Sequence, residues 1–256
     1  MTTPARRLDL ELVARGLAPS RNIAQRLVAA GVVRVNGTPA IRSATPVDSD
    51  DLVEVAGRQR WVSRAGEKLA GILDELDPDN TWFADAPVVL DAGASTGGFT
   101  QVCLHRGAGL VHAIDVGHDQ LDPGLRADPR VRVVEGFNLR HLTPDDLPGG
   151  VDLVVCDVSF ISVRLLLEPL LSVLRPHGRA LVMVKPQFEV GRERLGAGGV
   201  VSDPELQAEA VQAVREDAAR LGWASSEPHP ARITGSAGNQ EFFLLLRRSS
   251  AAEHGR

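Results

Sequence analysis

Of the 28 basic residues in this chain of 256, only Lys68 and Lys185 are lysines. On a solvated face the two basic types are nearly interchangeable, but an ammonium can lose its proton where its surroundings favour the neutral amine, and a guanidinium cannot. A lysine kept in an arginine-rich chain therefore points to proton chemistry. Lys185 directly follows the apolar run Ala180 to Val184, and Asp157 directly follows Val151 to Cys156. Open parallel sheets bind ligands beyond the carboxyl ends of their strands, which makes both residues candidates for a site. A third apolar run, Val88-Val89-Leu90, leads into Asp91-Ala92-Gly93-Ala94-Ser95-Thr96-Gly97-Gly98-Phe99 and a helix-compatible stretch to Arg106. Glycines there let the backbone turn sharply and approach a ligand closely. The spacing is not that of a dinucleotide fingerprint, so a nicotinamide cofactor is the weaker choice. Asp115 ends the next strand, where a carboxylate can accept both hydroxyls of a ribose, and Asn138 follows the third.

The elements that must position these groups are legible as alternation. Apolar strands at Val88 to Leu90, Leu110 to Ile114, Val131 to Val134, Val151 to Cys156 and Ala180 to Val184 are separated by helix-compatible stretches. That order implies a mainly parallel sheet covered on both faces. A capped helix is expected over Ser63 to Leu76, with Leu69, Ile72, Leu73 and Leu76 on one face. A further helix is expected from Pro204 to Leu221, and a last strand over Phe242 to Leu246.

Ahead of this unit the pattern differs. Arg7 to Arg15 reads as a helix stopped by Gly16, and Pro19-Ser20-Arg21 opens a second one carrying Ile23, Ala24, Leu27 and Val28 until Gly31. Val33 and Val35 then enter the tight turn Asn36-Gly37, and Leu52, Val53 and Val55 form another short strand. The expected boundaries are a small domain over 1–58, a linker over 59–64, a large domain over 65–250 and a tail over 251–256.

The formal net charge is -5, but it is unevenly spread: residues 1–64 hold ten arginines against six acids, and the remainder is acidic. A basic small module ahead of an acidic larger one fits a polyanion partner met by the front end, although a solvated arginine face has the same composition. Cys103 and Cys156 lie in apolar segments without metal-ligand spacing, so no metal is expected. With Arg6, Arg7 and Asp9 near the start and no apolar run of about 18 residues, neither a secretion signal nor a spanning helix is read. A soluble cytoplasmic protein is expected, and a membrane-active one is not supported.

The string "GLAPSRNIAQRLVAAGVVRVNGTPA" resembles the S4 RNA-binding domain, over about residues 6–56. That resemblance implies that the second helix and the following turn face RNA. The candidate phosphate contacts are Arg6, Arg7, Arg21, Arg26, Arg34 and Arg42. The loop Asp91 to Phe99 resembles the first motif of S-adenosylmethionine-dependent methyltransferases. It implies that cofactor, held by Gly93, Ser95, Thr96, Gly97, Gly98, Phe99, Asp115, Asn138 and Asp157.

The strings "SRAGEKL", "CDVSF", "MVKPQFE" and "GNQEFF" resemble the FtsJ-like ribose methyltransferases. With the S4-like part in front, the chain is similar over nearly its full length to the TlyA (haemolysin A) family of ribosomal-RNA 2'-O-methyltransferases. The resemblance implies an α/β Rossmann-like catalytic domain behind a small α+β S4 domain. It further implies a catalytic tetrad on Lys68, Asp157, Lys185 and Glu241, a cytidine ribose as methyl acceptor in 16S and/or 23S rRNA, and ribosomal RNA or ribosomal subunits as partners. Burial and a second ammonium at Lys68 would favour a neutral Lys185 able to act as base, while Asp157 and Glu241 would oppose that. A salt-bridge cluster without catalysis, in a non-catalytic RNA-binding ribosome-assembly factor that has kept the fold, is the alternative. The string "GRERLGAGG" from Gly191 to Gly199 is too glycine-rich for a regular element. It is either a mobile lid bringing Arg192 and Arg194 to RNA or a plain connector.

Overall fold

Leu8 and Leu12 stand one helical turn apart on α1 (Leu8–Ala14), and Ala24 and Val28 do the same on α2 (Arg21–Ala29). All four are buried in one cluster with Val33, Val47 and Val53, and this spacing is why two short helices persist here. The Ser20 hydroxyl accepts from Ile23 N at 3.4 Å and caps α2. Strand β2 (Val33–Val35) lies between β3 (Thr38–Pro39) and β5 (Val53–Val55), all antiparallel. Asn36 and Gly37 both take positive φ (51° and 77°) in the turn between β2 and β3. The pair β1 (Arg6–Arg7) and β4 (Pro46–Val47) completes this unit. The computed structural model describes residues 5–18, 20–55 and 61–249, and the chain divides between Gln59 and Arg60. Pro19, the polar residues 58–60 and the expected tail over 251–256 lie outside the described residues.

The second unit is built on a seven-strand path in the order β11-β13-β10-β9-β6-β7-β8, with β12 added beside β13. Strands β6 (Val88–Ala92), β7 (Leu110–Ile114), β8 (Val131–Val134), β9 (Val151–Cys156) and β10 (Leu174–Val184) run parallel. Strands β11 (Trp223–Ser225), β12 (His229–Pro230) and β13 (Phe242–Arg248) form the antiparallel end. Successive strand residues face opposite sides, so the apolar runs feed two cores. On one face Leu90, Val154, Val182 and Leu244 pack with α6 (Leu167–Ser172) and α8 (Pro204–Arg220). On the other, Val89, Val155, Leu181 and Phe243 pack with α3 (Arg64–Leu76) and α4 (Gly98–Arg106). The short helices α5 (Pro123–Arg126) and α7 (Pro186–Glu189) follow β7 and β10.

Several local expectations shift. Trp61 is buried in the same cluster as Leu69 and Phe99, with its ring edge-on to His105 at 5.5 Å, and the second compact unit takes in 61–64, part of the expected linker. Ser63 occupies the N-cap of α3, but its side chain makes no capping bond. Strand β10 begins at Leu174, across an irregularity before Arg179, and β13 runs on to Arg248. Both extensions rest on backbone pairing, which Pro176-His177-Gly178 and the exposed Arg247 and Arg248 do not announce as an apolar run.

Candidate active site

Every group of the expected tetrad arrives at one edge of the sheet. Asp157 and Lys185 follow the carboxyl ends of the parallel neighbours β9 and β10. Strand β13 runs antiparallel to β10 with Phe242 opposite Val184, so Glu241, just before β13, reaches the same edge. Lys68 comes from the second turn of α3. Lys68 and Lys185 are each 7% exposed and Glu241 3%, which takes all three largely out of water. Lys68 pairs with Glu241, and Lys185 Nζ lies 2.6 Å from Asp157 Oδ1 while donating to Ser159 Oγ at 2.7 Å. Burial pushes the Asp157 carboxyl up, and the adjacent Lys185 ammonium and then Lys68 draw it back down. Buried charges are tolerable only when paired, and these four form two pairs within each other's field.

Two clefts meet at this edge. The first, about 520 Å³, is lined by Gly93, Ser95, Asp115, Asn138 and Asp157. The Asp115 carboxylate is fixed by Ser95 N (2.8 Å) and Gly117 N (2.7 Å), one on each oxygen, which leaves further lone pairs for a ligand. Gly93 has φ +85°, and a Cβ there would stand 3.1 Å from the Asp157 carbonyl, so glycine lets the loop close on the end of β9. The Asn138 side chain accepts from Arg140 N. Asp91, fully buried behind the loop, accepts from Thr100 Oγ1 at 2.6 Å, and burial pushes its carboxyl up to about 7.

The remaining loop residues do other work. Thr96 is exposed and gives its carbonyl to Asp122 N, and Gly97 lies against Leu121 and Leu125. A Cβ on Gly98 would meet Ser63 Oγ at 2.2 Å and Gly66 N at 2.8 Å, so this glycine admits the start of α3. Phe99 is buried and stacks on Phe243 at 6.3 Å. These four positions, read from the motif as ligand contacts, do not line the first cleft. Its wall instead includes Val116, Gly117, Gln120, Phe137, Val158 and Ile161, whose only sequence signal was adjacency to Asp115, Asn138 and Asp157.

The second cleft, about 430 Å³, contains Lys68, Lys185, Glu241, Arg64 and Asn239 and shares Ser159 and Phe160 with the first. Phe160 is 92% exposed at φ +65°, with its ring 5.5 Å from that of Phe188. Leu195, Gly198 and Gly199 bring the glycine-rich string to this cleft. That string forms two 3-10 turns, Arg192–Arg194 and Ala197–Gly199, where no regular element was expected, because isolated turns need only single i to i+3 bonds. Asn239 holds it through Val201 N and Gly199 O. Arg192 is exposed, and Arg194 is exposed but bonded to Val190 O and Glu209.

In the small unit Arg26, Arg34 and Arg42 are exposed and make no ion pair among the described residues, and Arg6 lies 3.9 Å from Glu11. Arg7 and Arg21 both bond Asp9, a fully buried carboxylate that also accepts from Gln25. The Arg7 guanidinium and these other donors hold Asp9 far below the usual carboxylate range against its desolvation. In the sequence Asp9 stands out only as a charge near the start, and nothing in its spacing marks this role.

Comparison with known proteins gives the family. The FtsJ-like methyltransferase model matches residues 61–248, and the S4 domain model matches residues 6–53. The 16S/23S rRNA (cytidine-2'-O)-methyltransferase TlyA of Mycobacterium tuberculosis is 49% identical, over 94% of this chain and 89% of that protein. The chain belongs to the TlyA family of FtsJ-like methyltransferases. Hemolysin A of Brachyspira hyodysenteriae is 34% identical over 92% of this chain and 97% of that protein. The solved structure of a candidate hemolysin from Streptococcus thermophilus superposes with a TM-score of 0.70 at 36% identity, covering 96% of this chain and 90% of that one. Among the described residues no helix is long and apolar enough to cross a membrane.

Proposed function

We infer that the chain transfers the methyl group of S-adenosylmethionine to the 2'-hydroxyl of a cytidine ribose in ribosomal RNA. The observation that carries this reading is the junction of two clefts at Ser159 and Phe160. Asp157 faces the first cleft, and Lys185, Lys68 and Glu241 face the second. The relatives named above supply the cytidine and the ribosomal RNA, in the 16S and 23S molecules or one of them.

The first cleft fits the cofactor by its donor set. Asp115 offers a prepared carboxylate to two ribose hydroxyls, Val116 and Phe137 supply apolar walls for adenine, and Gly93 and Ser95 leave the loop close to Asp157. The bound sulfonium supplies an already activated methyl group. What remains for the protein is to align the acceptor hydroxyl in line and to take its proton. Lys185 would take that proton at Nζ and pass it to solvent. Asp157 and Ser159 orient the Lys185 amine from one side. The Lys68–Glu241 pair supplies a fixed positive group beside the oxygen that gains charge.

Phe160 offers an open aromatic face at the rim, where an unstacked base can rest, and Arg26, Arg34 and Arg42 supply phosphate contacts from the S4 unit. Ribosomal RNA or ribosomal subunits, met in the cytoplasm, are the partners of this reading.

The test is methyl transfer from labelled S-adenosylmethionine to isolated ribosomal subunits and to naked ribosomal RNA, with the product mapped by mass spectrometry of nucleosides. The expected label is 2'-O-methylcytidine. Asp115→Ala should weaken cofactor binding by about 1–3 kcal/mol through the lost acceptor, measured by calorimetry. Label on a base, or nicotinamide dinucleotide binding in place of S-adenosylmethionine, overturns the assignment.

A further inference from the structure

Glu189 closes α7, four residues after Lys185, and spends its carboxylate on a different segment of the chain. Its Oε1 accepts from Val163 N at 2.8 Å, and its Oε2 accepts the Ser162 hydroxyl. Lys185 grips the same segment at its other end through Ser159 Oγ, at 2.7 Å. Between the two ties stand Phe160 and Ile161. Phe160 holds φ +65°, a conformation that a bulky L-residue keeps only where its surroundings impose it. This short loop is shared: Val158, Ser159, Phe160 and Ile161 line the first cleft, and Ser159 and Phe160 also line the second.

An amine can hold Asp157 and Ser159 through its N–H groups while its lone pair takes a proton, so on the reading given above Lys185 serves the substrate from within one of these ties. The other tie, at Glu189, stands apart from the reaction and holds the far end of the loop that carries the cofactor wall and the Phe160 ring. We propose that Glu189 is a positioning residue for methyl transfer, fixing the loop from Val158 to Val163 in register with Lys185 while Lys185 serves the substrate.

The nature of the tie sharpens this. Glu189 makes no ion pair among the described residues, and burial pushes its carboxyl up while Ser162 and Val163 N hold it down. What ties it to the loop is two hydrogen bonds that its carboxylate accepts. Glutamine keeps both contacts, its carbonyl accepting from Val163 N and its amide donating to Ser162 Oγ with that second bond reversed. Alanine reproduces neither. Glu189 lines neither cleft, so its effect is transmitted through the loop.

The experiment compares single-turnover methyl transfer, cofactor Kd and RNA KM for the full-length protein and its Glu189→Ala, Glu189→Gln and Ser162→Ala variants. Glu189→Ala should slow single-turnover transfer roughly ten- to a hundredfold, as expected for a misplacement of about 1 Å, and weaken cofactor binding less. RNA KM should stay near wild type, because the S4 unit makes the main RNA contacts. Glu189→Gln should restore the rate to within about threefold, and Ser162→Ala, which removes one of the two bonds, should fall between. A Glu189→Ala enzyme at the wild-type rate overturns the proposal, and so does a Glu189→Gln enzyme as slow as the alanine variant. If Glu189→Ala does not fold, Ser162→Ala decides: a wild-type rate there overturns it. Failure of the underlying reading is distinguishable, because the wild type itself would then transfer no methyl group to RNA.

Discussion

At the scale of single residues the site is a contest between desolvation and pairing. Lys185 and Lys68 are both buried beside a carboxylate, but their proposed duties differ, and arginine separates them. Lys185→Arg keeps the charge and the pairing with Asp157 while removing any neutral form, so single-turnover transfer should be nearly abolished, with cofactor Kd and Tm little changed. Lys68→Arg should retain part of the activity, because a fixed positive group survives even if the fork fits the Glu241 site poorly. Asp91 makes a prediction in pH. Its folded-state carboxyl is raised to about 7 by burial, so from the ordinary carboxylate range up to about 7 the unfolded chain has lost a proton that the folded chain keeps. Fewer protons bound in the unfolded state mean that stability falls as pH rises through that window. Thermal melts between pH 5 and 8 should show this fall in the wild type and a smaller one in Asp91→Asn.

At the scale of elements, the glycine-rich loop shows that one motif serves two masters. Gly93 lets the chain approach the end of β9, whereas Gly98 lets α4 approach the start of α3, the helix that carries Lys68. Gly98→Ala would place a Cβ 2.2 Å from Ser63 Oγ and 2.8 Å from Gly66 N, and the second is backbone that cannot swing aside. Overpacking of this kind should cost about 1–3 kcal/mol in denaturant unfolding. Because the strain falls on the entry to α3, methyl transfer should drop further than cofactor affinity. A Gly98→Ala protein with wild-type stability would show that the α3–α4 approach has slack.

At the scale of the molecule, two units each bury their own core, around Leu8, Leu12 and Val33 in the first and across both faces of the sheet in the second. Removing residues 1–59 should therefore leave a folded unit, with cofactor affinity retained and RNA affinity lost. For the full-length protein, RNA binding should weaken steeply as salt rises, since phosphate contacts release counterions. Filter binding across a salt series checks both, and RNA affinity unchanged by the truncation would place the main RNA contact on the catalytic unit.

The sequence by itself determined the order of elements and the residues that end them. Alternating apolar runs separated by helical stretches admit little but a covered parallel sheet, and a polar residue directly after such a run, as with Asp157 and Lys185, must emerge at its edge. The small unit was equally legible, because Ser20, Gly16 and Asn36-Gly37 punctuate it with residues whose conformational preferences are local. Tertiary structure decided what each residue touches. Gly97, Gly98 and Phe99 looked like ligand contacts from their place in the motif, yet the packing of α3 and of Leu121, Leu125 and Phe243 claims them. Arg194, placed on a lid or a connector by its string, is held by Glu209, fifteen residues on, and Asp9 is the buried anchor of Arg7 and Arg21. Glu189 is likewise joined to the Ser162 hydroxyl and Val163 N only because β9 and β10 lie side by side. Local preference is written in neighbouring residues, whereas a contact between residues set apart along the chain exists only once the fold has brought their elements together.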